Sequence, residues 1–378
     1  MEPSGAPVSR LFSPFELRGR VLANRLAVAP MTTTQSNPDG SVSEAEAAWL
    51  ERLAGDGYGL VITCAAAVSR ESIAFPNQLS FGDDALLPGL TALASRVRRP
   101  GSLLVAQLCH GGSRAIPELA GQAAHSASAY ELPVPGFVPP REMSVAQIER
   151  VVDDFAAAAA RAARAGFDGV ELHGANGYLF TQFTSTMTNR RGDAWGGGLD
   201  GRARLSRETV RAIRARVPGD FVVGYRMSFE GMGLETGLDI DENVQVMRWL
   251  AEDGVDYGHI SHLALAAPSV KYPDRVALAH IRAGVTPGLP LVCAGSVVRR
   301  ADAERALDLG ADLVAVGRAA IGNPGLPARL ARDEALTPTP YRRDHLARVG
   351  ISDDFVRYLT TAPPLASLHI VEREGAAR

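Results

Sequence analysis

Eight short apolar runs recur along the chain, separated by longer amphipathic stretches. The first is Leu26-Ala27-Val28-Ala29-Pro30-Met31, and the others fall at 59–64, 103–108, 169–173, 221–226, 257–261, 291–295 and 313–317. Near-continuous apolar runs of this length predict strands buried on both faces, as in a parallel sheet. Helix-length segments fill the gaps: Ser43 to Ala54, Ser144 to Ala165, Arg202 to Arg216, Asp241 to Glu252, Pro273 to Ala283 and Arg300 to Leu309. Ser43 is a candidate N-cap with Glu46 at the capping-box position, and Gly166 is a C-cap signal. Eight strand–helix units predict an α/β fold, a (β/α)8 TIM barrel in a single domain.

Such a barrel needs about 250 residues. This chain has 378, so the surplus is expected as insertions. Residues 111–143, rich in Gly, Pro, Ser and Ala, form a long loop after the third strand, and 176–201 form another after the fourth. The barrel is placed at 10–332, with a C-terminal extension, 333–378, packing on or near it.

Composition narrows the function. Hydrophobic residues make up 46% and charged residues 21%, which excludes a disordered chain. A formal net charge of −3 gives no support for nucleic acid or a polybasic membrane contact. Cys64, Cys109 and Cys293 are too few and too scattered for a disulfide framework, a four-thiolate zinc site or an iron–sulfur cluster. No apolar run reaches membrane-spanning length, and the N-terminus lacks a signal-peptide core. The expectation is a soluble, cytoplasmic enzyme acting on a small molecule, with no nucleic-acid or membrane partner and its homo-oligomeric state open.

Barrel enzymes place their sites at the C-terminal ends of the strands. The polar residues of this chain fall there. The first strand ends in Thr32, the third in Gln107 and His110, and the fourth in His173 with Asn176 and Tyr178 beyond. The fifth ends in Arg226, the seventh in Gly295-Ser296 and the eighth in Gly317-Arg318. Polar groups in apolar runs are costly unless paired or functional.

The last two strand ends read as a phosphate site, since glycines let backbone N–H groups approach an anion and Arg318 adds charge. The plain alternative is turn glycines and a surface arginine. His173 and Asn176 could both donate to one ligand oxygen and hold a developing enolate; the alternative is a histidine satisfied in the core. Tyr178 is a weak acid suited to protonating a carbanion, or else a core aromatic beside Phe180 and Phe183. Arg226 needs an anion, from a ligand or from a buried acid such as Glu171. Thr32 could bond a ligand or cap a turn.

Three patterns are set aside. Gly196-Gly197-Gly198-Leu199-Asp200-Gly201 matches G-x-G-x-x-G but follows no strand. Asp239-Ile240-Asp241-Glu242-Asn243 starts like a calcium loop, but Val244 and Leu250 replace the required glycine and glutamate. His259 and His262 stand three apart, yet their strand offers no carboxylate at ligand spacing, so no metal is expected.

At these residues the sequence resembles the old yellow enzyme family of FMN-dependent oxidoreductases, from about residue 10 to about residue 332. The resemblance is carried by Asn24-Arg25, by Ala29-Pro30-Met31-Thr32, by Gln107-Leu108-Cys109-His110 and by Val316-Gly317-Arg318. Its most specific block runs from Ala165 to Leu179 and contains Glu171-Leu172-His173-Gly174-Ala175-Asn176-Gly177-Tyr178. Asn189-Arg190, Asp193 and Gly196-Gly197 continue it.

This likeness implies FMN as cofactor and NAD(P)H as reductant. By it, Pro30, Thr32, Ala65 and Gln107 contact the flavin ring, Arg226 lies at its N1/O2 edge, and Gly295, Ser296, Gly317 and Arg318 hold the phosphate. It implies that His173 and Asn176 bind a substrate carbonyl and that Tyr178 donates a proton. The implied reaction is reduction of the activated C=C bond of α,β-unsaturated carbonyl compounds. A dehydrogenase, demethylase or redox-neutral isomerase on the same fold is the alternative, and a non-catalytic flavin-binding protein a third reading. The chain departs from the family at Cys109, commonly Trp, at Cys64, often Glu, at Gly198, commonly Ser, and at Gly201, where Asn is expected.

Overall fold

The computed structural model describes residues 9–133, 136–231, 236–261, 264–361 and 369–372. All eight predicted strands form: β1 Leu26–Val28, β2 Leu60–Ile62, β3 Leu103–Cys109, β4 Gly169–Gly174, β5 Val222–Met227, β6 Tyr257–Ser261, β7 Leu291–Ala294 and β8 Leu313–Val316. Each pairs in parallel with the next, and β8 returns to β1 through Val314↔Leu26, which closes the barrel. Alternate residues of each strand point inwards. Ala27, Leu60, Ile62, Leu103, Val105, Val222, Tyr257, Val292 and Leu313 fill the lower interior as one apolar cluster. A hairpin that the sequence pattern did not reveal, Phe15–Leu17 paired with Arg20–Leu22, plugs the floor with Leu17 and Leu22. The residues between them, such as Val61, Leu104, Val223 and Val314, pack outwards with the helices.

Side-chain caps start three of the helices. In α1 (Glu44–Gly55) the Ser43 hydroxyl accepts from the Glu46 N–H at 3.1 Å. The expected reciprocal bond from Glu46 does not form. Its carboxylate turns into the core, where Thr33 Oγ1 donates to it at 2.6 Å. A second helix, α2 (Leu87–Val97), escaped the sequence reading although Leu90, Leu93, Ala94 and Val97 keep helical spacing. Ser144 and Gln147 form a full capping box on α3 (Val145–Ala165), which ends at Gly166 in the left-handed region.

Helix α4 (Leu199–Arg214) starts three residues before the expected Arg202. Here the glycine repeat serves packing. A Cβ on Gly201 would lie 2.1 Å from the Gly196 carbonyl, so the asparagine expected from the family pattern cannot fit. In α5 (Ile240–Asp253) the Asp239 carboxylate caps the N–H groups of Asp241 and Glu242, so the calcium-like run is a helix start.

The next helix, α6 (Ala277–Gly284), is shorter than the predicted 273–283. The preceding backbone is committed elsewhere: the Ser269 N–H donates to the Arg275 carbonyl at 2.8 Å and the Ala277 N–H to the Ala267 carbonyl at 3.1 Å. Helix α7 (Arg300–Asp308) completes the expected set.

The surplus lies where predicted, after β3 and β4. The first insertion carries a two-residue parallel pairing, His125–Ser126 with Arg141–Glu142, and the second a buried helix, Leu179–Thr184. Beyond residue 333 the chain folds back over the barrel mouth. The helix Asp353–Thr361 buries Phe355, Val356 and Leu359, and Phe355 meets Trp49 of α1 edge-on at 5.3 Å. No helix of the described residues is long and apolar enough to cross a membrane.

Candidate active site

The strand ends converge on a cavity of about 250 Å³ lined by Pro30, Thr32, Asn176, Arg226, Gly295, Ser296, Gly317 and Arg318. A second cavity of about 430 Å³ shares Ser296, Gly317 and Arg318 with it. At the junction Arg318 Nη2 donates to Ser296 Oγ at 2.7 Å. Ser296 holds a left-handed φ of 44°, a strained conformation for a residue with a side chain.

Below the cavity lies a buried polar layer. Glu171 and His259 are both fully buried, and His259 Nδ1 lies 2.8 Å from Glu171 Oε2. Gln107 Nε2 donates to Glu171 Oε1 at 2.7 Å, and Tyr257 Oη to Oε2 at 3.0 Å. Burial opposes ionisation of Glu171, but interaction with His259 and its hydrogen bond, with Arg226 and Gln107 nearby, hold its carboxyl below the usual range. Burial pushes His259 the other way, towards the neutral ring. The pair is therefore a carboxylate accepting from a neutral imidazole Nδ1–H. The carboxylate that meets His259 comes from β4, two strands away, which spacing within its own strand does not reveal. His262 lies outside the described residues, among which no cluster of metal-ligating groups occurs.

His173 is 4% exposed and its Nδ1 has no hydrogen-bond partner among the described residues. Burial first, then the charge of Arg226, keep this ring neutral. It can donate from one nitrogen. Asn176 adopts a left-handed φ of 58°, with its N–H on Ser228 Oγ. Ser261 accepts from Arg226 Nη2 at 3.0 Å and donates to Asn176 Oδ1 at 3.4 Å. That chain turns the Asn176 amide so that its NH2 is the free end. Ser261 was invisible to motif reasoning, as a small polar residue closing an apolar run.

Tyr178 does not join Phe180 and Phe183, which are core residues. It precedes their helix and its ring lies 4.8 Å from that of His173. Burial raises its pKa, and Arg114 opposes the shift. Ala65 packs with Phe75, Cys109 and Tyr178. The cysteines are buried packed thiols, and burial pushes Cys293 up to about 12. Cys64 lies against the buried carboxyl of Glu46, so an acid arrives from α1 where the strand itself has none.

Two further features come from the tertiary structure. The C-terminal helix brings Phe355, Tyr358 and Leu359 to the cavity wall, and Tyr358 hydrogen-bonds Thr32. His110, at the end of β3, accepts the Gly112 N–H on Nδ1 at 3.0 Å. Burial and His125 push it down to about 3. Its depressed value means that the unfolded chain binds a proton that the folded one refuses. Stability is expected to fall as pH drops from about 6.5 towards 3, and His110→Asn to flatten that slope in urea titrations across this range.

The residues fit a flavin mononucleotide. Of two adjoining cavities, one is lined by two cations, Arg226 and, at the junction, Arg318, and the unpartnered His173 Nδ1 lies buried beside Tyr178. Fold and site together define a (β/α)8 barrel with its ligand cavity at the C-terminal ends of the strands. Residues 10–336 match the NADH:flavin oxidoreductase / NADH oxidase family, and the chain belongs to it.

It is 37% identical over 338 residues to the NADH:fumarate oxidoreductase of Klebsiella pneumoniae, covering 86% of this chain but 36% of that protein. It is 36% identical over 332 residues to the probable NADH-dependent flavin oxidoreductase YqiG of Bacillus subtilis, covering 86% and 87%. The structure matches the old yellow enzyme homologue of Zymomonas mobilis with a TM-score of 0.80 at 27% identity, over 91% of this chain and 98% of that one. The chain is an oxidoreductase of the old yellow enzyme family, with FMN as cofactor and NAD(P)H as reductant.

Proposed function

We propose that this chain is an ene-reductase, reducing the activated C=C bond of α,β-unsaturated carbonyl compounds at the expense of NAD(P)H. The observation that carries the reading is the placing of His173, Asn176 and Tyr178 together at one strand end, with Asn176 lining the same cavity as Thr32 and Arg226. Pro30, Thr32, Ala65, Gln107 and Arg226 are assigned to the flavin ring, and Gly295, Ser296, Gly317 and Arg318 to its phosphate. When bound, FMN supplies hydride chemistry that no side chain can.

The protein's part is electrostatic and protic. Gln107 has its Nε2 committed to Glu171, so Oε1 is the atom left to accept from a ligand. The neutral His173 ring and the Asn176 amide donate to the substrate's carbonyl oxygen, where negative charge develops as hydride reaches the β-carbon. Tyr178 then gives its proton to the α-carbon, and hydride plus proton complete the saturated product. Residues 10–332 form the FMN-binding unit in this reading and 333–378 an extension to it, whose helix Asp353–Thr361 reaches the cavity wall. The fumarate reductase relative is nearly three times as long as the shared region, so its acceptor is not carried over.

The test is direct. FMN-loaded protein is reduced anaerobically with NADH or NADPH and then mixed with a cyclic enone. The expected result is bleaching of the flavin, its return with one equivalent of enone, and a saturated ketone as product. Failure to load FMN, or recovery of unreduced enone, overturns the proposal.

A further inference from the structure

We infer that Arg114 makes the site selective for acceptors bearing a carboxylate close to the reacting double bond. This deepens the ene-reductase reading and rests on it. Arg114 ends the turn Gly112–Arg114 that follows β3. Its Nη1 donates to the Asn176 carbonyl at 2.5 Å, and its guanidinium carbon lies 4.7 Å from the centre of the Tyr178 ring. One nitrogen is thus tied to the residue that binds the carbonyl, and the plane rests on the residue that gives the proton.

The charge is uncompensated. Arg96, Arg191, Arg202 and Arg207 each pair with a carboxylate at 2.6 Å or closer. Among the described residues no Asp or Glu pairs with Arg114, which is exposed. The wall of the cavity that Asn176 lines contains no acid either. Glu171 lies below and is consumed by Gln107, Tyr257 and His259. The positive field of Arg114 reaches Tyr178, His173 and Tyr358, favouring the more negative form of each.

Two cations, Arg226 and Arg318, line the cavity, and Arg114 adjoins it through its contacts with Asn176 and Tyr178. Arg318 answers to the FMN phosphate and Arg226 to the ring edge, which leaves Arg114 without a counter-charge. A guanidinium with free N–H groups matches a carboxylate in a forked geometry. The reductant is a poor candidate for that anion, since in a nicotinamide dinucleotide a ribose separates the ring from the nearest phosphate. A carboxylate on or next to the reacting carbons of the acceptor is within reach of a cation stacked on the proton donor.

The experiment compares (E)-4-oxopent-2-enoate with its methyl ester on the FMN-loaded enzyme and on Arg114→Gln and Arg114→Lys. Both acceptors carry the same double bond. The expected result is that R114Q raises KM for the acid about 10- to 100-fold, well beyond any change for the ester, with partial rescue in R114K.

A second readout is free of turnover: the Kd of the saturated acid, 4-oxopentanoate, from its perturbation of the flavin spectrum. It should weaken in R114Q by a similar factor and weaken with salt in the wild type. Equal losses on acid and ester, an unchanged Kd, or a loss confined to flavin reduction by NAD(P)H overturns the inference and leaves the ene-reductase reading intact. If neither acceptor is reduced but R114Q still loses 4-oxopentanoate, the ene-reductase reading falls and the carboxylate subsite stands.

Discussion

Replacing Tyr178 with phenylalanine is expected to slow enone reduction by roughly 10²- to 10⁴-fold, the range that a positioned general acid contributes. Flavin reduction by NAD(P)H should suffer far less, because that half-reaction needs no proton from the phenol. The ring stays in place in the variant, held between His173 and Arg114, so the loss belongs to one O–H group. Single-turnover mixing of the reduced enzyme with enone measures it. Burial raises the Tyr178 pKa above that of an ordinary tyrosine, so the group is protonated throughout the neutral range. The oxidative half-reaction should therefore show no loss of this proton below about pH 10. Equal slowing of both half-reactions would count against the assignment.

The second large effect is on stability. Glu171→Leu is expected to cost about 3–5 kcal/mol, since it removes the single acceptor shared by three buried donors. Gln107 Nε2, Tyr257 Oη and the His259 Nδ1–H are left without partners in a closed interior. Glu171→Gln keeps an oxygen at the same place and should cost much less. Urea unfolding at saturating FMN compares the variants, and FMN affinity measured separately shows whether the freed Gln107 amide also disturbs the cofactor. The pH dependence has a definite sign. The folded carboxyl titrates below its ordinary value, so its contribution is complete above about pH 4.5 and is lost as pH falls. Glu171→Gln should remove that acid-side loss.

Most of the barrel was legible because burial on both faces writes itself into consecutive residues. All eight runs became strands, and the polar residues ending them came to one mouth. The caps at Ser43 and Gly166 were readable because each acts within a few residues. The failures have a common cause. Glu46 looked like a capping residue but obeys a distant Thr33, and residues 273–276 lie in the predicted helix but pair with 267–269. In both places a partner outside the helix overrode a local rule.

The sequence by itself determined the closed parallel barrel, the positions after β3 and β4 where it is interrupted, and the residues at the strand ends. Strand burial and helix capping are local or periodic, and so are present in the order of residues. Only the tertiary structure decided what those residues meet. His259 and Glu171 are 88 positions apart, Arg114 and Asn176 62, and Tyr358 reaches Thr32 from the far end of the chain. Closing the barrel and folding the tail over its mouth create these contacts, and no periodicity along the chain encodes which distant partner a buried polar group will find.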